Sequence, residues 1–176
     1  DNGRIQVEAS IHAEYTSFDK VWHALAEYAI STGIGMQVHV SETQNEQDTC
    51  LEKYGLTPAQ LLDVYHVWDT RALAAHCVWL TDEDMDLFAR RGVTAVHCPN
   101  SNLKLASGIA PVRKMMDKGM NVALGTDGVS SSNNTDLFEA VKLAALLSNG
   151  STLDPTSLTA QEALKLATVN GAKAQG

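Results

Sequence analysis

ALAAHC at residues 72–77 and VTAVHC at residues 93–98 are two short apolar runs of a kind that recurs along this chain. Between such runs lie longer segments whose apolar residues are spaced for one face of a helix. Strands that read as nearly continuous small apolar residues are typical of a parallel sheet covered by helices, which indicates the α/β class. Five strands are predicted: Ile5–Ile11 (IQVEASI), Met36–Val40 (MQVHV), Ala72–Cys77, Val93–Cys98 and Asn121–Gly125 (NVALG).

The segments between the strands carry start and stop signals of helices. In Thr57–Gln60 (TPAQ) a threonine can cap the helix, proline takes the first helical position and glutamine completes a capping box. Thr81–Asp84 and Thr159–Glu162 have similar spacing. Helices are expected to end at Gly33, Gly92, Gly119 and Gly150. Two apolar helix faces are predicted: Phe18, Val21, Trp22, Leu25, Tyr28 and Ala29 in one helix, and Ile109, Val112, Met115 and Met116 in another.

Two common architectures are built from βα units, a doubly wound open sheet and a closed barrel. No strand is followed by GxGxxG or GxxxxGK[ST], so the phosphate-binding versions of both folds lose support. Five units are too few to close an eight-stranded barrel, whereas they suffice for a flavodoxin-like sheet. On strand count alone, the flavodoxin-like sheet is the simpler expectation.

Composition and charge limit the partners of this protein. The 176 residues contain 13 Lys and Arg against 21 Asp and Glu, which gives a formal net charge of −8 at pH 7. This acidic excess argues against nucleic acid or an anionic membrane surface as partner. No apolar run approaches the roughly 18 residues of a membrane span, and no signal-peptide pattern is present. Cys50, Cys77 and Cys98 form no CxxC pair, so we expect free thiols and a cytoplasmic location.

Ionisable side chains stand at the ends of the predicted strands. Because the carboxyl ends of parallel strands share one edge, these groups are expected to converge on one rim, where α/β enzymes place catalytic and metal-binding residues. A single histidine there is commonly a hydrogen-bonded structural residue, but five such groups in succession would each need a buried partner. Imidazole and carboxylate suit a divalent metal such as zinc. The groups are His12, His39, His76, His97 and Asp127, with Glu42 close to His39.

Four longer motifs carry a resemblance to a known family. They are HVSET (39–43), AAHCVWLT (74–81), HCPNSNLKLASGIAPV (97–112) and GTDGVSSSNN (125–134), and with them the chain resembles the amidohydrolase superfamily, in its branch of mononuclear-metal aminohydrolases, from about Gly3 to Gly176. The resemblance implies a TIM-type (β/α)₈ barrel. Residues 1–176 would then be a partial barrel domain that supplies the last five βα units, strands 4 to 8 of a longer parent.

The resemblance also implies a role for each matching residue. His39 and Asp127 match two metal ligands, His76 matches a residue that orients the attacking water, and Glu42 matches the acid that protonates a ring nitrogen. Glu42 and Asp127 would also contact the substrate, as would His12. His12 lies in ASIHAEYT, where relatives read closer to APHAPYT, so the local loop shape is expected to differ. The metal would be a single divalent ion, zinc first and iron as the alternative. The family's HxH ligand pair has no counterpart in this sequence.

The implied activity of the parent is hydrolytic deamination. Ammonia would leave the adenine ring of nucleosides of the 5′-methylthioadenosine or S-adenosylhomocysteine type. Guanine deamination and triazine hydrolysis use a similar metal site in the same fold and stay open as alternatives. From other classes, a non-catalytic interaction module predicts no bound divalent ion, and a flavodoxin-like domain predicts bound flavin. The partner in the main hypothesis is a small nucleoside or related heterocycle.

A partial barrel has consequences for the chain taken alone. Five strands cannot close, so the first and last would present unpaired edges, and we expect edge-to-edge association or a homo-oligomer. Two protein ligands are fewer than the three usual for catalytic zinc, so negligible deaminase activity is expected of the isolated chain. The remaining motif residues are expected to be structural: His97 packs at the rim, Asn100, Ser101 and Asn102 shape their loop through backbone bonds, and Met115, Met116, Cys77 and Cys98 are buried.

Overall fold

A computed structural model of the protein describes residues 5–176, so the first four residues of the predicted domain lie outside the described part. Five strands form one sheet in which every neighbouring pair is parallel. Their order across the sheet is the order along the chain, with β3 in the centre. The strands are β1 (Ala9–Ile11), β2 (Met36–Val40), β3 (Ala72–His76), β4 (Thr94–His97) and β5 (Asn121–Leu124).

Helices connect the strands and continue beyond β5. Two of them, α1 and α8, are long, and the others are short. The helices are α1 (Asp19–Thr32), α2 (Gln44–Tyr54), α3 (Pro58–Val64), α4 (Asp82–Arg91), α5 (Pro99–Lys104), α6 (Val112–Asp117), α7 (Val129–Ser132), α8 (Leu137–Thr152), α9 (Ala160–Ala167) and α10 (Val169–Ala174). Among the described residues, none of these helices is both long and apolar enough to cross a membrane.

The strand order decides between the two architectures. A flavodoxin-like sheet reverses direction and has the order 2-1-3-4-5, whereas this sheet proceeds in one direction from β1 to β5. A succession of βα units in one direction is an arc of a (β/α)₈ barrel. The sequence prediction of five parallel βα units from an incomplete barrel is therefore confirmed, and the flavodoxin-like alternative is wrong.

The predicted strand positions are confirmed, with one large change of length. β2 has the predicted limits, and β3, β4 and β5 differ from theirs by one residue at an end or at both. β1 contains only Ala9–Ile11 of the predicted Ile5–Ile11. Its pairing with β2 starts where Ala9 faces Met36, the first residue of β2, so the residues before Ala9 run past the end of their neighbour. Ile5 and Val7 are accordingly exposed.

Most of the predicted helix limits are confirmed. Thr57, Thr81 and Thr159 each cap a helix and complete a capping box. Gly33 and Gly92 end α1 and α4 in the left-handed conformation, each with φ of 70°.

Two helix predictions were wrong. Gly150 lies inside α8, which continues to Thr152, because Ser148 near this end is buried and hydrogen-bonded to Ser157. Packing of that kind offsets the cost of about 1 kcal/mol for a glycine in a helix. Ile109 does not belong to the apolar face of α6, because Pro111 disfavours helical backbone at the residue before it and the helix begins at Val112.

The sheet is buried mainly by helices on one face. Large side chains from several helices and strands fill the space there, and all five residues of β3 are buried. The opposite face, which would be the inside of a barrel, holds only a small cluster of Leu73, Ala123 and Ala174 with Val96 against it. Cys50, Cys77 and Cys98 are buried free thiols, and the predicted burial of Met115 is confirmed. Met116 is only partly buried and packs against the core from its edge.

Candidate active site

Three imidazole rings form a row along the carboxyl ends of β1, β2 and β3. The ring centroids of His12 and His39 are 4.7 Å apart, and those of His39 and His76 are 5.2 Å apart with nearly parallel planes. Each ring stands at or next to the last residues of its own strand, so the parallel register brings them into line. The structure therefore places these three predicted site residues side by side on one rim.

The ring of His39 is held by His12, the residue that follows the neighbouring strand β1. The carbonyl oxygen of His12 accepts the backbone N–H of His39 at 2.8 Å and its Nδ1 at 2.7 Å. Because a carbonyl can only accept, Nδ1 must carry the proton, and the lone pair of the neutral ring lies on Nε2. This is the arrangement of a metal-ligating histidine, in which the second ring nitrogen is held by a backbone carbonyl.

His76 is held in a similar way, by a side chain from α5. Its Nδ1 lies 2.8 Å from Oδ1 of Asn102, so Nδ1 donates and Nε2 is left to act at the rim. That Nε2 lies 3.7 Å from Oε2 of Glu42, too far for a direct hydrogen bond and close enough for one atom to contact both. The residue is almost fully buried. His76 and Glu42 thus face each other across a narrow gap.

Glu42 stands in the loop after β2 and is fixed at one oxygen. Its Oε1 accepts a hydrogen bond of 3.0 Å from the hydroxyl of Ser107, which lies beyond α5. The carboxyl side chain is 16% exposed, so it reaches solvent only at its tip. A carboxyl group with one oxygen bound and the other directed at a histidine can hold or deliver a proton at the second oxygen.

Asp127 follows β5 and is held as a carboxylate. Its Oδ2 accepts the hydroxyl of Ser101 and its Oδ1 accepts the backbone N–H of Gly128, both at 2.6 Å. Partial burial acts to raise the pKa of Asp127, but these two hydrogen bonds and the imidazoles of His76 and His39 outweigh it and lower the pKa below its usual value. The group is therefore ionised at neutral pH and lies within electrostatic range of both histidines.

The backbone at this rim is strained. Ser41, His76, Cys77 and Asp127 all have positive φ, between 50° and 72°, although none is glycine. Such left-handed conformations cost energy for residues with a side chain and collect at functional sites. They occur here at the end of β2, β3 and β5 or within three residues after it, where the polar side chains of the candidate site lie.

The donor set can hold part of a metal site. His39 offers a free Nε2, and Asp127 offers a carboxylate, both of which are accepted ligands of divalent zinc or iron. Within residues 5–176, however, no group of three or more His, Cys, Asp or Glu is placed to hold one ion. The residues present fit a divalent metal as two of its protein ligands, in agreement with the missing HxH pair.

His97 ends β4 but takes no part in this arrangement. It is 2% exposed, and burial together with the nearby His76 lowers its pKa to about 4, so the ring is neutral. Burial also raises the pKa of the adjacent Cys98 thiol to about 12, with the charge of Asp127 adding to the effect. Both residues therefore lie at the rim as uncharged, buried groups, and the expectation that His97 packs rather than binds metal stays a prediction.

Sequence reasoning underestimated two residues of the loop after β4 and missed a third. Ser101 and Asn102 were expected to shape their loop through backbone bonds, but their side chains bind Asp127 and His76. Ser107, which no prediction mentioned, binds Glu42. A signal was available, because all three lie within the long SNLKLASG run of the third motif. Short polar side chains directly after a buried strand are well placed to orient the groups at its rim.

Comparison with known proteins identifies close relatives of the chain. The pattern of the Amidohydrolase family matches residues 1–176. The 5'-deoxyadenosine deaminase of Methanococcoides burtonii is 47% identical over 172 residues, which are 98% of this chain and 40% of that protein. The 5-methylthioadenosine/S-adenosylhomocysteine deaminase of Acetivibrio thermocellus is 46% identical over 175 residues, 99% of this chain and 41% of that protein.

Solved structures agree with these relatives. An adenosine deaminase from Xanthomonas campestris with bound Zn superposes with a TM-score of 0.96 at 36% identity, over 100% of this chain and 40% of that one. A guanine deaminase from C. acetobutylicum with bound guanine superposes with a TM-score of 0.87 at 28% identity, over 94% of this chain and 41% of that one. The chain thus spans about 40% of the length of the proteins it matches. Because the pattern of the Amidohydrolase family matches the chain over residues 1–176, this chain belongs to the amidohydrolase family.

Proposed function

We propose that the longer protein of which this chain forms a part is a metal-dependent hydrolytic deaminase of adenine nucleosides modified at the 5′ position. The observation that carries the proposal is the pairing of Glu42 Oε2 and His76 Nε2 at 3.7 Å, beside His39 and the Asp127 carboxylate. An acid, a polar ring nitrogen, a metal-competent imidazole and a carboxylate within one rim are the groups that hydrolysis of the exocyclic C–N bond of an aminopurine requires.

The metal would be held by His39 through Nε2 and by Asp127, and residues outside this chain would complete its coordination. When bound, a divalent cation makes water reactive at neutral pH by lowering its pKa toward about 7. The zinc in the Xanthomonas campestris relative supports zinc as the ion, with iron as the alternative. His12 supports this assignment indirectly, because its carbonyl oxygen fixes which nitrogen of His39 is free.

The residues of the chain divide the proton transfers between them. Asp127, an ionised carboxylate, accepts a proton from the attacking water, and His76 aligns that water through Nε2. Glu42 donates a proton from Oε2 to the ring nitrogen next to the carbon under attack. The new C–O bond forms, the C–N bond breaks, and the proton that Asp127 took from water leaves with the amino group as ammonia. The remaining hydroxyl proton returns to Glu42 as the C–O bond becomes a carbonyl, which restores the acid. Assistance of this kind is worth about 10² to 10⁴ in rate.

The substrate would enter over the row of imidazoles, where His12 is exposed and can contact it. The relatives named for 5'-deoxyadenosine and for 5-methylthioadenosine/S-adenosylhomocysteine support an adenine base with a 5′ modification. The three free, buried cysteines support a reducing compartment such as the cytoplasm. A homo-oligomer, or association through the open edges of β1 and β5, stays a prediction.

The test uses the full-length protein loaded with zinc. We expect it to release ammonia from 5′-deoxyadenosine, 5′-methylthioadenosine or S-adenosylhomocysteine and to leave guanine and triazines unchanged. The E42Q variant should retain its zinc and lose about 10² to 10⁴ in kcat, because glutamine cannot donate the proton. Ammonia release from guanine alone would favour the guanine deaminase alternative. A full-length protein that binds no divalent ion would favour an interaction module and contradict the proposal.

A further inference from the structure

The loop that carries Glu42 is held by a second carboxylate, from the first turn of α2. Oε1 of Glu46 accepts the backbone N–H of Ser41 at 2.6 Å, and Oε2 accepts the backbone N–H of Glu42 at 2.7 Å. In an ordinary capping box this side chain would bind the N–H of the capping residue, here Thr43, but that distance is 3.5 Å. Glu46 therefore reaches past the cap and binds the two residues before it.

These bonds hold a strained turn in place. Ser41 has φ of 50°, and it separates the strand residue Val40 from Glu42. Its hydroxyl donates to Oε1 of Gln47 at 2.9 Å, and Nε2 of Gln47 makes a long contact of 3.5 Å with the buried Asp84. Asp84 accepts the hydroxyl of Thr57 at 2.6 Å, which ties the network to the start of α3. A turn fixed at both its backbone and its side chain keeps one orientation of the residue that follows it.

A third acidic residue, Glu14, lies against Glu46. It is 4% exposed, and as a carboxylate its Oε2 would have no hydrogen-bond partner. Burial and the neighbouring Glu46 raise the pKa of Glu14 to about 8, so at neutral pH it is a carboxylic acid. Burial raises the pKa of Glu46 as well, so the two residues form a pair of neighbouring buried acids. The other titratable groups near this pair are Glu42, Tyr15, Cys50 and Lys53.

We propose that Glu46 is a positioning residue that orients Glu42 toward His76 by binding the N–H groups of Ser41 and Glu42. The inference rests on the proposed function, because it assigns Glu46 a role only through the acid Glu42. Both oxygens of Glu46 are occupied by backbone N–H groups, so Glu46 acts on the site through Glu42.

The E46Q variant of the full-length protein removes one of the two acceptors. One N–H in the turn then meets an amide NH₂ instead of an oxygen, and Glu42 loses its orientation. A displacement of about 1 Å at a reacting group can cost about 10²-fold in rate, so we expect kcat to fall by about 10- to 100-fold. Zinc content and KM should change by less than about twofold.

The E14Q variant is the matched control. It makes the same chemical change on the neighbouring acid, but glutamine keeps the shape and the donor of the neutral carboxylic acid. We expect its kcat to stay within about twofold of the unaltered protein. An equal loss in E14Q and E46Q would show that the buried pair acts as a general support of the fold, which would overturn the proposal.

A double-mutant cycle with E42Q distinguishes positioning from structural support. If Glu46 acts through Glu42, adding E46Q to E42Q should lower kcat by less than about threefold further. Multiplication of the two single losses would overturn this inference and leave the proposed function intact. If E42Q alone leaves kcat unchanged, the proposed function itself fails. Should E46Q fold poorly, E46D keeps the charge with a shorter reach, and the same dependence on Glu42 is expected of it.

Discussion

The polar side chains at the two ends of the parallel sheet differ in how they are hydrogen-bonded. At the amino end, Arg71 pairs with Glu8 at 2.9 Å and donates to the carbonyl of Ala174 at 3.0 Å, while Asn121 donates to Thr94 and to the carbonyl of Asn170. These contacts join the strands to the segment before β1 and to the last helix. At the carboxyl end, by contrast, His39, His76 and Glu42 are each fixed by a hydrogen bond at one polar atom and have a second polar atom without one.

The backbone shows the same contrast. Ser41, His76, Cys77 and Asp127, at or just beyond the carboxyl ends of strands, have positive φ although none is glycine, whereas the turns before β2, β4 and β5 use Gly33, Gly92 and Gly119 for this conformation. At the amino end, the hydrogen bonds join elements of the fold to one another. At the carboxyl end, strained backbone accompanies the polar side chains of the candidate site. This is the division of labour expected of a βα barrel, in which stability and function reside at opposite ends of the strands.

The largest effect is expected from D127N at the carboxyl end of the full-length protein. The amide is a poor metal ligand and cannot accept a proton from water, so zinc content should fall and kcat should drop by more than about 10⁴-fold. Metal analysis and an ammonia assay measure both. The control D136N makes the same change at the cap of α8, where asparagine caps equally well, and should leave both unchanged. Full activity in D127N would show that the active site does not lie at this rim.

A smaller effect is expected from N102A, which releases the ring of His76. The imidazole can then rotate or change its protonated nitrogen, and we expect kcat to fall by about 10- to 100-fold with little change in zinc content. The control N149A removes an asparagine near the end of α8 that donates to the carbonyl of Pro155 and accepts the N–H of Leu158, and its kcat should be unaffected. Equal kcat in N102A and the unaltered protein would show that His76 needs no orientation.

A change in stability with pH is expected at the boundary of the site, from Glu14. The pKa of Glu14 is about 8 in the folded protein, against a usual value of 4.5. Between these two pH values the folded state keeps the proton and the unfolded state releases it. The unfolded state then binds fewer protons, and stability decreases as pH rises from about 4.5 to about 8. E14Q lacks this loss, so its Tm relative to the unaltered protein should rise over that interval. A constant difference in Tm would mean that Glu14 is ionised.

The smallest effect is expected at the amino end, from R71Q. The variant loses a partly exposed ion pair and one hydrogen bond, which together are worth about 1 kcal/mol. We expect Tm to fall by no more than about 4 °C and kcat, KM and zinc content to stay unchanged. A loss of activity without a loss of stability would break the contrast between the two ends.

Local patterns predicted the fold because each strand and cap depends on neighbouring residues. MQVHV gave the limits of β2, and TPAQ gave the cap and first turn of α3. The same locality explains the error at Gly150, where packing of Ser148 against Ser157 overrides a weak preference. The rim was predictable too, because parallel topology alone brings His12, His39 and His76 together.

The supporting contacts could not be predicted in this way. Ser107 and Glu42 are 65 positions apart, and Glu14 and Glu46 belong to different βα units. No spacing rule connects such pairs, since they meet only after the strands have set the distance between their loops. The resemblance to the amidohydrolases predicted the groups that would act, and the structure added the contacts that hold those groups in place.

The most direct test of the proposed metal site at His39 and Asp127 is anomalous diffraction at the zinc edge from crystals of the full-length protein. A single zinc ion with His39 Nε2 and an Asp127 carboxylate oxygen among its ligands, each at about 2.0–2.2 Å, is the predicted result. A zinc ion bound elsewhere, with His39 and Asp127 both unliganded, would contradict the account.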